Sequence, residues 1–341
     1  MSYSEMTSRE RVTATLKFQT PDRIPMDIWC LGATRIKYGK ALEDLLAQHP
    51  TDFGGASCPL DRGYYGEYMK AGVYRDLWGS SWRMQIAGVT GEVFDPAIPD
   101  IETAGDFRPP YELLEQGWKE KRESIKERIA EQRKSGKFIR GGTVEPFQRM
   151  QWLRGPENLY CDIGLQEPGV FALKDIITDY YMRYLDYWLD LDIDFVGFTE
   201  DWGTQISLLI SPKMWREMFR PVYKKLFDKI KSAGKFVFFH SDGYILDIYR
   251  ELADLGADAV NSQVWCMGVE KAAQAGAGRF TFWGELDRQD TLPHGTPEDI
   301  YRAAETMKRL LRVNGGGLIG QGEIGYDVPL ENAKAMLECW N

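Results

Sequence analysis

One histidine and several carboxylates stand where their types and spacing could do chemistry. Asp242 follows His240 by two residues, while Glu145, Glu200-Asp201, Glu285 and Glu323 each close or follow a short apolar run. A histidine amid carboxylates is a donor set for a zinc-type metal, and its nitrogen and oxygen atoms also suit other divalent ions. The same groups could instead transfer protons. The bland alternative for each carboxylate is an ion pair with Arg or Lys, or a helix N-cap, and for His240 a structural hydrogen bond. Asp242, followed by Gly243, is the most open to it. His49 precedes Pro50 at a helix end and His294 lies in a Pro-His-Gly turn, so neither offers a comparable setting.

These groups can meet only if the runs before them are strands of one sheet. From Phe138 onward, β-rich runs alternate with helical patterns: Phe138 to Val144, Phe195 to Thr199, Phe236 to Phe239, Ala259 to Val264, Phe280 to Trp283 and Gly317 to Gly320. Arg23 to Trp29 reads as an earlier strand, after a short helix from about Arg9 to Phe18. Continuous apolar strands separated by helices indicate a parallel sheet covered on both faces. In a closed α/β barrel the C-terminal strand ends converge on one mouth, whereas an open sheet would spread them along an edge. Trp215, Phe219, Val222, Leu226 and Ile230 mark one helical face opened by Ser211-Pro212 and closed by Gly234, with Pro221 expected to kink or split it. Ile177, Tyr181, Tyr184, Trp188 and Leu191 mark another helix, and Glu112 to Lys137 reads as a solvated one. Residues 50–110, rich in Gly, Pro, Tyr and Trp, read as an elaboration of the barrel.

Composition narrows the classes. The 341 residues carry 42 Lys+Arg against 51 Asp+Glu, a formal charge of −9, which argues against a broad nucleic-acid surface. With 43% hydrophobic residues the chain can bury a sizeable core. Its length is compatible with one elaborated barrel domain over 1–341. Five cysteines (Cys30, Cys58, Cys161, Cys266 and Cys339) show no paired spacing and read as reduced thiols. MSYSEMTSRERV lacks a signal-peptide pattern, and no run approaches the ~18 apolar residues of a membrane span. The expectation is a cytoplasmic protein. No P-loop, GxSxG elbow, HExxH, CxxC or dinucleotide-binding glycine motif is present.

In order along the chain, the motifs Thr7-Ser8-Arg9-Glu10-Arg11-Val12, Pro21-Asp22-Arg23-Ile24-Pro25, Asp201-Trp202-Gly203-Thr204-Gln205, Ser211-Pro212-Lys213-Met214-Trp215-Arg216, His240-Ser241-Asp242-Gly243, Trp283-Gly284-Glu285-Leu286-Asp287 and Pro329-Leu330-Glu331-Asn332 resemble the uroporphyrinogen decarboxylase superfamily. Within it they are similar to the corrinoid-dependent branch that includes methylcobamide:coenzyme M methyltransferases. The resemblance spans nearly the whole chain and implies a single (β/α)8 TIM-type barrel with an elaborated N-terminal segment. Two departures matter. The decarboxylases carry Arg-Gln-Ala-Gly-Arg after the first strand, whereas this chain reads Trp29-Cys30-Leu31-Gly32-Ala33-Thr34 and lacks that grip on substrate carboxylates. The thiol methyltransferases hold zinc with His-x-Cys and a later Cys, whereas Asp242 stands at the first Cys position and Glu323 near the second.

Replacing thiolates by carboxylates leaves a harder metal, better suited to polarising an oxygen than to keeping a thiolate nucleophilic. The resemblance and this substitution together imply transfer of a methyl group from a methoxylated, aromatic substrate to a corrinoid on a separate protein. Zinc would be held by His240 and Glu323, helped by Glu285 or Asp242. Glu200, Asp201 and Gln205 would orient the substrate. Tyr326 would protonate the leaving oxygen, with barrel-mouth packing as its plain alternative. Trp202, Trp265 and Glu145 would line the substrate site. Two other readings stay open: a decarboxylase or lyase acting on a smaller acid, which needs a cation at the mouth (Arg149, Arg154 or Arg288), and a non-catalytic ligand-binding barrel.

Overall fold

The computed structural model describes residues 5–56 and 68–340. The apolar runs form parallel strands β1 (Met26–Cys30), β2 (Phe53–Ala56), β3 (Phe138–Val144), β4 (Phe195–Glu200), β5 (Phe236–Ser241), β6 (Ala259–Ser262), β7 (Thr281–Trp283) and β8 (Leu318–Ile324). Hydrogen-bonded neighbours run β1-β8-β7-β6-β5-β4-β3-β2, so spatial order follows chain order and β8 returns to β1. With helices between the strands, this is the expected (β/α)8 barrel. The strand β2 lies inside the segment read as pure elaboration. Its sequence, Phe-Gly-Gly-Ala, has too few side chains to display a strand pattern.

The barrel has a plugged floor and a layered interior. The helix Ser8–Leu16 begins at a capping box, with Thr7 accepting from the Glu10 amide and Glu10 returning the bond. Its Val12 and Leu16 pack against Phe53, Phe138, Phe195 and Phe238, which point inward from four successive strands. Each strand then alternates: on β4, Val196 and Phe198 face the surrounding helices, and Phe198 meets Phe227 at a ring separation of 4.8 Å. The Ser211 segment splits, as its proline suggests, into helices Pro212–Met218 and Arg220–Ser232.

Among the described residues β1 and β2 share no strand ladder. Their seam is closed instead at Met26, whose carbonyl accepts from the Asp52 amide at 2.9 Å and Thr51 Oγ1 at 2.8 Å. Its amide donates to Asp52 Oδ2 at 2.8 Å. Arg11 and Arg23 fasten the same buried carboxylate.

The elaboration includes a small antiparallel sheet of Gly72–Arg75, Ser81–Met84 and Glu92–Asp95. It docks at the mouth through Gly88, whose carbonyl accepts from the Ala33 amide at 3.0 Å. Gly88 has φ +79°, and a Cβ there would lie 2.2 Å from the Ala33 nitrogen, so this approach requires glycine. Cys58 lies outside the described residues, and the other four cysteines are free thiols. Among the described residues no helix is long and apolar enough to cross a membrane.

Candidate functional site

Strand alternation selects which groups reach the mouth. On β5, Phe236, Phe238 and His240 share the inward face, and Asp242 continues it past the strand end. Asp201 follows β4 on the neighbouring strand. These three bring their ligand atoms within 4.8 Å of one another. His240 Nε2 lies 3.7 Å from Asp201 Oδ1 and 3.6 Å from Asp242 Oδ1. Nitrogen and oxygen ligands at about 2.0–2.2 Å from a tetrahedral zinc stand about 3.3–3.6 Å apart, so the two spacings from His240 fit such an ion once Asp242 Oδ1 is released from Arg288, which pairs with it.

The imidazole is preset for that role. Asn261, on β6, donates through Nδ2 to the Trp283 carbonyl at 2.5 Å and to Gln321 Oε1 at 3.2 Å, which turns its Oδ1 toward His240. Oδ1 can only accept, so the 2.5 Å contact places a proton on His240 Nδ1 and aims Nε2 at the carboxylates, the nitrogen that a metal would use. Burial raises the Asp201 carboxyl above its usual range, and the Asp242 charge adds to this. Burial also pushes Asp242 up, but His240 and Arg288 outweigh it and hold that carboxyl low.

Glu285 and Glu323 meet a different partner. Arg288, in the loop after β7, reaches Glu285 Oε1 at 3.4 Å and Glu323 Oε1 at 3.2 Å, and it also pairs with Asp242. Three carboxylates therefore surround one guanidinium, which they hold in its charged form against the cost of burial. Burial raises Glu285, only 2% exposed, to about 8, with Arg288 opposing and Asp242 and Glu323 adding to the rise.

Above these groups opens a cleft of about 370 Å³, lined among others by Gln205, Asp242, Gln263, Arg288, Glu323 and Tyr326. Gln263 Oε1 accepts from Gln205 Nε2 and from the Gly243 amide, both at 3.1 Å, which ties the loops after β4, β5 and β6 together. Tyr326 stands 45% exposed on the rim. With its amide turned to satisfy both neighbours, Gln148 donates to Asp201 Oδ2 at 3.2 Å and accepts from Trp152 Nε1 at 2.9 Å.

Three expected site residues are placed elsewhere. Glu200 falls on the outward face of β4, fully buried, where it accepts from Tyr223 Oη at 2.7 Å and from the amides of Phe147 and Gln148 at 3.2 and 2.9 Å. It caps the helix Pro146–Arg154 and does not reach the cleft. Trp202 turns the same way and stacks on Phe147 at 3.6 Å between ring centroids. Glu145 is buried against Arg149 at 2.6 Å. Trp265 is half-buried beside the mouth, its Nε1 donating to the Glu285 carbonyl at 3.1 Å. Asn261, Gln263 and Gln148 escaped sequence reasoning. The one signal was the polar stretch Asn261-Ser262-Gln263 following apolar Ala259-Val260 in a run read as a strand.

Burial raises Glu200 from 4.5 to about 8, against the pull of its three donors. Folding thus takes up a proton between those values, so its contribution is complete below about pH 4.5 and is lost as pH rises through about 8. The midpoint of thermal unfolding should fall across that window. In Glu200→Gln the fall should be shallower, on a lower baseline because the Gln148 amide loses its acceptor. An equally steep fall in the variant would remove Glu200 as its source.

The family profile described as uroporphyrinogen decarboxylase (URO-D) matches residues 79–341. No curated protein matches the sequence. Among solved structures, the fold is similar to a methyltransferase from Methanosarcina mazei, with a TM-score of 0.66 and 16% identity over 98% of each chain. A Xanthomonas albilineans dihydropteroate synthase aligns over 47% of this chain and 57% of its own at 11% identity, but its TM-score of 0.31 is too low to carry an argument. With the profile covering most of the sequence and the barrel it calls for in place, this chain belongs to the uroporphyrinogen decarboxylase family.

Proposed function

We propose that the chain is a methyltransferase that passes a methyl group from a methoxylated, aromatic substrate to a Co(I) corrinoid carried by a separate protein. The observation that carries this reading is the Asp201–His240–Asp242 group, with the histidine tautomer set by Asn261. A zinc-type ion held by these three would supply Lewis acidity at the ether oxygen. The chain's own residues do the rest. Gln205 and Gln263 orient the substrate from one side of the cleft, and Tyr326 on the rim protonates the oxygen as the C–O electron pair returns to it and the methyl group leaves. The aromatic character of the substrate rests on Tyr326 at the rim of the cleft and Trp265 beside the mouth, since Trp202 is withdrawn into the helix layer. The methyltransferase fold neighbour supports the assignment at the level of architecture.

The decarboxylase reading needs a free cation to hold an acid. Among the described residues lining the cleft the cation is Arg288, and three carboxylates already surround it. Arg149 and Arg154 are buried away from the cleft in ion pairs with Glu145 and Asp162.

The test combines metal content with spectroscopy. Purified protein should hold about one divalent ion per chain, lost in Asp242→Ala, and should convert a Co(I) corrinoid protein and an aryl methyl ether to the methyl-Co(III) spectrum. Loss of the ion in Glu323→Ala as well would make that carboxylate the fourth ligand, reached by release from Arg288. A protein that binds no divalent ion and yields no methyl-Co(III) overturns the proposal.

A further inference from the structure

Two cations have a use for the same oxygen. Asp242 Oδ1 lies 3.6 Å from His240 Nε2, the separation of two ligands on one ion, and that same oxygen is paired with Arg288 Nη2. A carboxylate oxygen that closes onto a divalent ion at about 2 Å turns its lone pairs to the ion, and a guanidinium left beside it would face a doubly positive charge at close range. Glu323, which lines the same cleft, repeats the pattern, its Oε1 accepting from Arg288 Nη1 at 3.2 Å. Ion and guanidinium therefore exclude one another at Asp242.

The loop after β7 offers the guanidinium a second seat. Glu285, three residues before Arg288, is buried, and among the described residues its Oε2 has no hydrogen-bond partner. Its Oε1 stands 3.4 Å from Arg288 Nε, a few tenths of an ångström beyond a good hydrogen bond. A buried carboxylate oxygen left unpaired is costly, and a guanidinium can bond both oxygens side by side. The backbone around both residues is fixed. Trp265 Nε1 donates to the Glu285 carbonyl at 3.1 Å, and Asp287 Oδ1 accepts from the amides of Gln289 and Asp290 at 3.0 and 3.2 Å. Arg288 can thus change partners by rotating about its side-chain bonds while the loop stays in place.

We propose that Arg288 is a two-position counter-charge that sets the affinity of the barrel mouth for its divalent ion. Bridging Asp242 and Glu323, it stands in for the charge of the ion; when the ion takes Asp242, it withdraws onto Glu285. The inference rests on the proposed ion at Asp201, His240 and Asp242, and it adds a positioning residue that is not itself a ligand. In the first position Arg288 offsets the repulsion between carboxylates that face one cleft. That same pairing opposes the ion, which must displace it.

The test is a calorimetric titration of zinc into the full-length chain stripped of divalent ions, for the wild type, Arg288→Gln, Glu285→Gln and the double variant. Arg288→Gln should bind zinc at least about tenfold more tightly than the wild type, because the ion no longer displaces a cation from Asp242. Glu285→Gln, which keeps Arg288 and the shape of the buried side chain, should bind zinc about tenfold more weakly, because the displaced guanidinium loses its seat. In the Arg288→Gln background the Glu285 substitution should change nothing, a non-additivity that a direct ligand would not show. A purely structural Arg288 predicts the opposite sign, since losing the bridge would splay the carboxylates and weaken binding. Zinc affinity in Arg288→Gln equal to or below that of the wild type overturns the inference and leaves the ion site standing. Zinc bound by none of the four chains overturns the ion site and the inference with it. Should Arg288→Gln not fold, Glu285→Gln decides alone, and an affinity equal to the wild type overturns the withdrawal.

Discussion

His240→Ala should retain no divalent ion and should form methyl-Co(III) slower by about a thousandfold or more. Removing the Lewis acid costs several kcal/mol of transition-state stabilisation, and each 1.36 kcal/mol is a factor of ten. The fold should survive, because the ring sits at the top of the barrel interior above a floor of aromatic side chains. Asn261→Leu provides the finer test. It leaves every candidate ligand in place but removes the acceptor that keeps the proton on Nδ1. Loss of such a supporting bond typically costs 10–100-fold in metal affinity. The expected result is therefore a weaker metal site whose activity returns at raised zinc, whereas His240→Ala should not be rescued. Undiminished ion binding in His240→Ala would show that the histidine is structural and remove the basis of the proposed chemistry.

The barrel was legible because its strands are nearly unbroken apolar runs, and the convergence of Asp201, His240 and Asp242 followed from closing the sheet. The same uniformity hid which way each residue faces. On β4, Phe195, Val196 and Phe198 are all large and apolar, so no change of polarity marks the inner face and Glu200 could not be told apart from a mouth residue. Counting alternately from Phe195 puts Glu200 outside, but only the contacts of Phe195 with Phe138 and Phe238 show that Phe195 is inside. Arg288 posed a different difficulty. Its triple pairing depends on the path of a loop, which strand periodicity does not encode, so its place among Asp242, Glu285 and Glu323 had to be seen. The short β2 was hidden by its glycines, and with it the seam where it meets β1.

That seam supplies the largest expected effect on stability. Asp52 is fully buried and accepts from Arg11 Nη1 at 2.6 Å, Arg23 Nη1 at 2.8 Å and Nη2 at 2.9 Å, Ser8 Oγ at 2.8 Å and the Met26 amide at 2.8 Å. It joins the floor helix, β1 and β2 where, among the described residues, no ladder links neighbouring strands. Asp52→Ala would leave Arg11, only 3% exposed, with Asp22 as its sole carboxylate among these partners, and would strip the Met26 amide of its acceptor. Breaking a buried pair by deleting one partner costs about 3–5 kcal/mol, mostly through the uncompensated charge left behind. Asp52→Asn should cost nearly as much, because its amide N–H groups would face guanidinium donors. Asp44→Ala is the control: its pair with Lys40 is exposed on a helix surface, and its loss should stay within about 0.5 kcal/mol. Denaturant unfolding measures all three. A cost for Asp52→Ala no greater than for Asp44→Ala would mean that the floor helix and the aromatic layer close the barrel without the carboxylate.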